Sequence, residues 1–182
     1  MTRRTPLLGA AIITALCAAP ALAQSEGSDM PAPEAAASAL TAPIASAEGT
    51  QLGTVELSFA PSGLAVVTIA LTGAAPGQHA VHFHQTGVCE APFDSAGGHL
   101  AGTMDHGVMS ASGPHPGDMP NVNVPDAGAV ELTYFVPNLT PDLVEDEDGS
   151  AFVLHEVADD YASQPSGNAG GRMGCAVIAP AN

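Results

Sequence analysis

The sequence contains no lysine and no tryptophan, and it has 19 acidic residues but only three arginines. Arg3 and Arg4 lie at the amino end, so Arg172 is the single cationic residue in the rest of the chain. From residue 24 onward, 19 carboxylates against one guanidinium give a formal charge of −18. Nucleic acids and anionic membranes are bound through basic patches, so this balance argues against both as partners. The simplest explanation of the charge itself is solubility.

Long apolar runs are also absent, apart from one at the amino end. A basic start, "MTRR", is followed by "PLLGAAIITALCAAPALA" and the small-x-small pattern of Ala21, Leu22 and Ala23. These features predict a secretory signal peptide over residues 1–23. A membrane anchor is the alternative, but the run is short and no second span follows. The mature protein is therefore predicted to be exported, without a stable membrane anchor once the signal is removed.

Only two cysteines remain after this leader, Cys89 and Cys175. An even pair in an exported chain predicts a disulfide, with a thiolate metal site as the alternative. Residues 24–48 are rich in Ala, Ser, Pro and Glu and lack aromatic residues, which predicts a flexible tether. The folded domain is accordingly predicted to span residues 49–182.

Within that domain, apolar and polar residues alternate in short runs separated by turn signals, a pattern typical of β-strands. "QLGTVELSFA" and "LAVVTIALTG" predict a hairpin, and "QHAVHFH" a third strand. "NVNV" and "AVELTYFV" predict a second hairpin, and "AFVLHE" and "GCAVIA" two later strands. This predicts an antiparallel sandwich or flattened barrel. The stretch from Gln85 to Pro120 has no sustained period, and loops of that length are usually functional.

The seven histidines lie in the third strand, in this long loop and at residue 155. Residues two apart in a strand share a face, so His82 and His84 point the same way and His79 points to the other face. His82 and His84 are therefore predicted to bind one metal ion together. His79 is expected to hydrogen-bond to the backbone or to pack. A structural role is the alternative for any one of these histidines taken alone.

The long loop adds three imidazoles and a carboxylate, from His99, His106, His115 and Asp118. Such a group forms a closed tetrahedral set that suits Zn²⁺. Without a bound ion, an acidic, glycine-rich loop has little apolar surface to hold it in place. His155 could join His82 and His84. Sites made of imidazoles suit copper or zinc, and a redox-active site requires copper.

These segments resemble one known family, the exported bacterial copper,zinc superoxide dismutases. The resemblance runs from about Gly49 to Ile178 and rests on the motifs "GQHAVHFHQTGVC", "SAGGH", "HPGD", "LHEVADD" and "GNAGGRMGCAVI". It implies an all-β fold, an eight-stranded Greek-key β-sandwich or flattened barrel. This fold would carry a long metal-binding loop and a second active-site loop. It also implies a periplasmic enzyme with one copper and one zinc per chain, as a monomer or homodimer.

Residue by residue, the resemblance implies copper ligands at His82, His84, His99 and His155. It implies zinc ligands at His99, His106, His115 and Asp118. In this scheme His99 is the bridging imidazolate and Arg172 the guanidinium beside copper, both catalytic. Asp159 corresponds to a carboxylate that links one copper histidine to one zinc histidine, and Cys89 and Cys175 to the intrasubunit disulfide.

The reaction implied is disproportionation of superoxide to dioxygen and hydrogen peroxide, with copper alternating between Cu(II) and Cu(I) and zinc in a structural role. The bridging His99 would leave copper on reduction and accept a proton. Two other functions compete with this one. The chain could be a copper- or zinc-binding protein with the same fold and no useful turnover, or an exported adhesive protein with a β-sandwich fold and incidental histidines. The loop before Arg172 lacks Lys and Glu. Only Arg172 and the metals would attract superoxide against the charge of the chain, which predicts slower turnover than in near-diffusional relatives.

Overall fold

The computed structural model describes residues 39–182, so the predicted signal peptide lies outside the described residues. Nine strands form the domain: β1 (Leu40–Ala45), β2 (Gln51–Phe59), β3 (Ala65–Leu71), β4 (Gly77–His79), β5 (Val81–His84), β6 (Val122–Val124), β7 (Val130–Val136), β8 (Ser150–His155) and β9 (Arg172–Ala179). In residues 39–182, helical structure is limited to a 3₁₀ turn at Asp94–Ala96 and the one-turn helix α1 (Pro141–Val144). Within the part of the chain that is described, no helix is long and apolar enough to cross a membrane.

Seven strands pair in the order β5-β8-β9-β1-β2-β3-β7, and β4 pairs with β6 in a separate two-stranded sheet. All these pairings are antiparallel. In β3, buried and partly buried residues alternate along the whole strand, because one face meets the core and the other faces outward. Buried side chains from both ends of the long sheet and from β6 form one core. The curled sheet around this core confirms the predicted all-β fold class.

The predicted third strand is two strands. β4 and β5 are separated at Ala80, and they belong to different sheets. Counting them as one gives the eight strands that the family resemblance implied. The predicted second hairpin is wrong, because β6 pairs with β4 whereas β7 pairs with β3. The turn at residues 125–129 therefore crosses from one sheet to the other.

The predicted tether is wrong for residues 40–48, because β1 lies within it. β1 pairs along its length with β2, and its Ile44 is fully buried. Pro43 is tolerated there although the strand is central in the sheet. Among the described residues β1 pairs with β9 at Ala45 alone, so Pro43 interrupts no pairing with that strand. The strand is short and consists largely of alanine, proline and threonine, so its sequence resembles that of a linker.

The strands β5 and β8 are buried on both faces, and this determines where the functional residues lie. Phe83 and Phe152 point into the core and meet edge-to-face, with ring centroids 5.9 Å apart. The opposite face of the two strands is covered by the loop between β5 and β6. Isolated bridges join His82 to Asp118 and His84 to His99 along β5. The loop thus covers the edge of the sheet at β5 and brings its own histidines beside those of the strand.

Candidate metal centre

The strand β5 presents His82 and His84 on the face that the loop covers, and both side chains are almost completely buried. His79 lies on β4 and does not join them. Its Nδ1 is 2.9 Å from the carbonyl oxygen of His155, and its Nε2 is 2.9 Å from that of Ala75. Two histidines therefore share a face of β5, whereas His79 hydrogen-bonds to the backbone from a strand of the other sheet.

One possible metal-binding group combines strand and loop residues. Each member offers one ligand atom within 4.8 Å of all the others: His82, His84, His99 and His155. His155 comes from the end of β8, and the loop supplies His99 through its bridge to β5. The long loop and two neighbouring strands thus meet at the four positions expected for copper. The ring centroids of His82 and His99 are only 3.9 Å apart, so these imidazoles are closely packed.

The second possible group is centred on the carboxylate of Asp118. Its Oδ1 lies 3.2 Å from Nδ1 of His99, 3.0 Å from that of His106 and 3.3 Å from that of His115. Ligand atoms about 2.0–2.1 Å from a tetrahedral zinc ion are roughly 3.3 Å apart, so these separations suit such an ion. His82 also lies near this group, because ligand atoms of His82, His99, His106 and Asp118 are all within 4.8 Å of one another. The family resemblance implies His115 for this group, and its Nδ1 lies against the same Asp118 oxygen as those of His99 and His106, while His82 also belongs to the first group.

The ring nitrogens that lack a partner support both groups. Buried polar atoms are nearly always paired, so an unpaired atom requires an explanation. Among residues 39–182, several imidazole nitrogens are buried without a hydrogen-bond partner: His82 Nδ1, His84 Nε2, His99 Nε2, His115 Nδ1 and both nitrogens of His155. These atoms belong to the two groups just described. The donor sets, four imidazoles in one case and three imidazoles with a carboxylate in the other, fit copper and zinc respectively.

Asp159 connects the two groups, as the family resemblance implied. Its Oδ2 accepts a hydrogen bond from Nε2 of His82 at 2.8 Å, and its Oδ1 lies 3.0 Å from Nε2 of His106. The backbone N–H of Tyr161 also donates to Oδ1, at 2.6 Å. A carboxylate that holds one ring nitrogen leaves the other free for a metal and fixes the orientation of the ring. In both His82 and His106, Nε2 is bonded to Asp159, so Nδ1 is the nitrogen available to a metal ion.

Burial and hydrogen bonding set the protonation of the centre. Burial lowers the pKa of His82 to about 4, that of His84 to about 2 and that of His155 to about 3, so these rings are neutral near pH 7. Burial also acts to lower the pKa of His106, but its hydrogen bonds to two carboxylates outweigh this and raise it to about 9. Although burial opposes it, hydrogen bonds from histidines hold the pKa of Asp118 and Asp159 well below the usual range. Neutral imidazoles and ionised carboxylates are the forms that bind metals, so a metal ion bound by His106 would displace a proton from that ring.

Arg172 begins β9 and lines an open pocket of about 190 Å³ beside His84, His99 and His155. Its guanidinium donates to the carbonyl oxygens of Phe93 and Gly97, the latter at 2.6 Å. Both carbonyls lie in the long loop, just beyond Cys89. The guanidinium is therefore fixed in orientation, and the one Lys or Arg side chain of the described residues lies at the mouth of the first group.

Cys89 and Cys175 form a disulfide, which confirms the predicted bond and excludes the thiolate metal site. The bond joins the start of the long loop to β9, and the two cysteines are 86 positions apart in the sequence. Its neighbours Phe93, Ala96, Ala151 and Val153 form a small apolar cluster of their own. The loop segment that holds Arg172 is thus attached covalently to the strand from which Arg172 projects.

Sequence reasoning missed residues that hold the loop histidines in place. The carboxamide of Gln164 bonds to both backbone groups of His106, with both distances 2.9 Å. Gly167 has a positive φ of 65°, and a Cβ there would collide with the Asp159 carboxylate and lie 2.6 Å from Nε2 of His106. Asn121 makes comparable contacts with Asp159. None of these positions carries a local sequence signal, because each acts on a residue far away in the chain.

The fold and the site together define a class: an antiparallel β-domain with two adjacent groups of possible metal ligands, to both of which His99 belongs. Comparison with known proteins identifies the family. The family model described as "Copper/zinc superoxide dismutase (SODC)" matches residues 51–178. A protein of Caulobacter vibrioides named "Superoxide dismutase [Cu-Zn]" is 37% identical over 148 residues, covering 76% of this chain and 84% of that protein. "Superoxide dismutase [Cu-Zn] 1" of Aquifex aeolicus is 36% identical, covering 75% and 85%.

Solved structures agree. The crystal structure of a superoxide dismutase-like protein from Bacillus subtilis aligns with a TM-score of 0.71 and 33% identity, covering 76% of this chain and 97% of that one. The Cu/Zn superoxide dismutase from Brucella abortus aligns with a TM-score of 0.63 and 27% identity, covering 78% and 99%. The chain belongs to the copper/zinc superoxide dismutase family, as its sequence motifs indicated.

Proposed function

We propose that this chain is an exported copper,zinc superoxide dismutase that holds one copper and one zinc ion. Two superoxide anions and two protons give one dioxygen and one hydrogen peroxide. The observation that carries the proposal is the placement of His99. Its Nδ1 is 3.2 Å from the Asp118 carboxylate, while its buried Nε2 has no hydrogen-bond partner and faces the other group. A single imidazole positioned between two metal-binding groups is suited to bridge them.

Each group has its own ion in this proposal. His82, His84, His99 and His155 hold copper, and His99, His106, His115 and Asp118 hold zinc. Bound copper supplies one-electron chemistry between Cu(II) and Cu(I), and bound zinc supplies a fixed positive charge that lowers the basicity of the shared imidazole. Asp159 holds the rings of His82 and His106 in the orientation that directs Nδ1 toward the ions.

The residues of the chain have separate tasks in the reaction. Arg172 attracts the superoxide anion at short range and orients it, since its guanidinium is fixed by two backbone carbonyls. Nε2 of His99 would be the atom that holds and releases a proton, because Nδ1 of the same ring lies against the Asp118 carboxylate. The apolar cluster beneath the disulfide keeps this arrangement rigid, so the groups need little reorganisation as charge develops.

The remaining assignments concern the whole chain. Residues 1–23 serve as the signal peptide, and the folded domain follows a tether that ends before β1. Export leads to the bacterial periplasm, where Cys89 and Cys175 can be oxidised. The protein acts as a monomer or homodimer, without a membrane anchor and without nucleic acid. Determining the metal content and mass of the purified, exported protein tests these assignments together.

The decisive experiment compares superoxide decay after pulse radiolysis for the metal-loaded wild type and for Arg172→Ala and Arg172→Lys. Loss of a positioned charge typically costs orders of magnitude in rate, so we expect Arg172→Ala to be slower by at least about 10-fold. Lysine should be intermediate, because it retains the charge but lacks the planar fork. His155→Ala should lose copper and activity. Full activity in His155→Ala would refute the proposed copper ligands.

The charge of the chain predicts an unusual response to salt. The carboxylate of Glu156 approaches the backbone of Gly171 at 3.2 Å, close to Arg172 at the pocket mouth. The far field of a chain with formal charge −18 repels superoxide, and only Arg172 and the metals oppose this at short range. Raising the ionic strength from about 0.01 to 0.1 M shortens the Debye length from roughly 30 to 10 Å, which screens the far field first.

We therefore expect the second-order rate constant to rise with ionic strength. A series of pulse-radiolysis measurements with an inert salt gives this constant directly, and Glu156→Gln serves as a charge control with a smaller salt response. A rate constant that falls as salt increases would show that local attraction by Arg172 outweighs the repulsion.

A further inference from the structure

We propose that Asn121 is a positioning residue for the metal centre and acts by holding Asp159. This inference rests on the proposed function, because it concerns the ions that His82 and His106 bind. Asn121 lies one residue before β6 and contacts Asp159 across 38 residues of sequence. Among the described residues its side chain hydrogen-bonds to Asp159 and to no proposed metal ligand, and it does not line the pocket of Arg172. Its effect on the centre must therefore pass through Asp159.

The carboxamide of Asn121 pairs with both backbone groups of Asp159. Nδ2 donates to the Asp159 carbonyl oxygen at 2.9 Å, and Oδ1 accepts from the Asp159 N–H at 2.8 Å. Only one orientation of the amide satisfies this donor and this acceptor together, so the two ends of the side chain are not interchangeable. The side chain of Asn121 takes the place that a neighbouring strand would occupy in a sheet.

In the described residues, no backbone group hydrogen-bonds to the backbone of Asp159 in place of Asn121. Asp159 lies outside any strand, in the loop that follows β8. Among residues 39–182 its backbone N–H and carbonyl make no hydrogen bond to another backbone group. The Asp159 carboxylate nevertheless has to reach His82 on one side and His106 on the other, at 2.8 and 3.0 Å. Without Asn121, the backbone N–H and carbonyl of Asp159 would lose the partners they have among these residues.

Asn121 is itself held on both sides by tyrosines. Its backbone N–H donates to the hydroxyl oxygen of Tyr161 at 2.8 Å, and its carbonyl accepts from the hydroxyl of Tyr134 at 3.2 Å. These are the only two tyrosines in the sequence. Tyr134 belongs to β7, whereas Tyr161 follows Asp159 in the same loop. Asn121 therefore ties the loop of Asp159 to the β-domain and determines where the carboxylate stands relative to it.

The test uses Asn121→Ala and Asn121→Asp, with Asn123→Ala as the matched control. Asn123 lies two residues away on β6, and its side chain is exposed. Aspartate retains the acceptor for the Asp159 N–H but replaces the donor with an oxygen that repels the carbonyl. Loss of a direct partner of a ligand histidine costs about 10- to 100-fold in metal affinity. For the more remote Asn121 we expect zinc affinity to fall by about three- to ten-fold in both variants.

Two measurements separate positioning from a general loss of stability. The first is zinc affinity, from competition with a chromophoric chelator. The second is the exchange rate of the ring Nε2–H protons of His82 and His106, from proton NMR of protein loaded with zinc alone. In the wild type these protons are bonded to Asp159 and should exchange slowly. In both Asn121 variants they should exchange at least several-fold faster, while Asn123→Ala should match the wild type.

The possible results differ clearly. A lower melting temperature with unchanged zinc affinity and unchanged ring N–H exchange would overturn the proposal and leave Asn121 a purely structural residue. Equal changes in Asn123→Ala would overturn it as well. Neither readout requires superoxide, so absence of dismutase activity in the wild type would refute the proposed function without affecting this result. A wild type that binds no zinc would refute both.

Discussion

Replacing His99 with alanine is expected to reduce superoxide dismutation by more than about 100-fold, because even an outer partner of a metal ligand is worth 10- to 100-fold in affinity or activity. His99 offers one nitrogen to each of the two proposed metal-binding groups. The variant therefore removes a ligand from both ions at once. It also removes the atom proposed to carry the proton. No other single substitution at the centre affects all three tasks.

Metal analysis of purified His99→Ala and superoxide decay by pulse radiolysis measure this effect. The matched control is His79→Ala, a buried histidine from the same segment whose nitrogens contact backbone carbonyls. It should retain one copper and one zinc per chain, although its stability should decrease. Dismutation by His99→Ala at a rate near that of the wild type would contradict the bridging role.

Loss of the disulfide is expected to have the largest effect on stability. In the chain-entropy model, the closed loop of 86 residues stabilises the fold by about 4 to 5 kcal/mol. For a chain of this size that corresponds to a decrease of roughly 10 to 20 °C in melting temperature. Activity should decrease as well, because the carbonyls that orient Arg172 lie in the loop that the bond attaches to β9.

Calorimetry of Cys89→Ser, Cys175→Ser and the double variant checks this expectation under oxidising conditions. The three should unfold at similar temperatures, since each lacks the same bond. Adding a reductant should lower the melting temperature of the wild type and leave the double variant unchanged. If the double variant had the same melting temperature as the wild type, the cluster around Phe93 and Val153 would hold the loop by packing alone.

The sequence patterns predicted those parts of the protein in which neighbouring residues carry the information. Alternation along β2 and β3 predicted their strands, and the spacing of two residues between His82 and His84 predicted a shared face. The cysteine pair predicted the disulfide. In each case the physical cause is local periodicity or a simple pairing rule, which can be applied without knowing the path of the chain.

Other features depend on contacts between distant segments. β1 has the composition of a linker and becomes a strand only because β2 and β9 flank it. The separation of β4 from β5 depends on β6, which takes β4 into a second sheet. Asn121 and Gln164 act on residues 38 and 58 positions away, so nothing beside them in the sequence indicates their role. Only the folded chain brings these groups together.

The position of Arg172 has a consequence for proteolysis. Trypsin cleaves after lysine or arginine, and beyond Arg4 this chain offers the protease one peptide bond, that between Arg172 and Met173. In the folded protein that arginine is bonded to two loop carbonyls and paired in β9 with the end of β8. Cleavage requires the loop to release the side chain and the strand to detach. Tryptic cleavage at this one bond therefore reports the opening of the pocket itself, without any label.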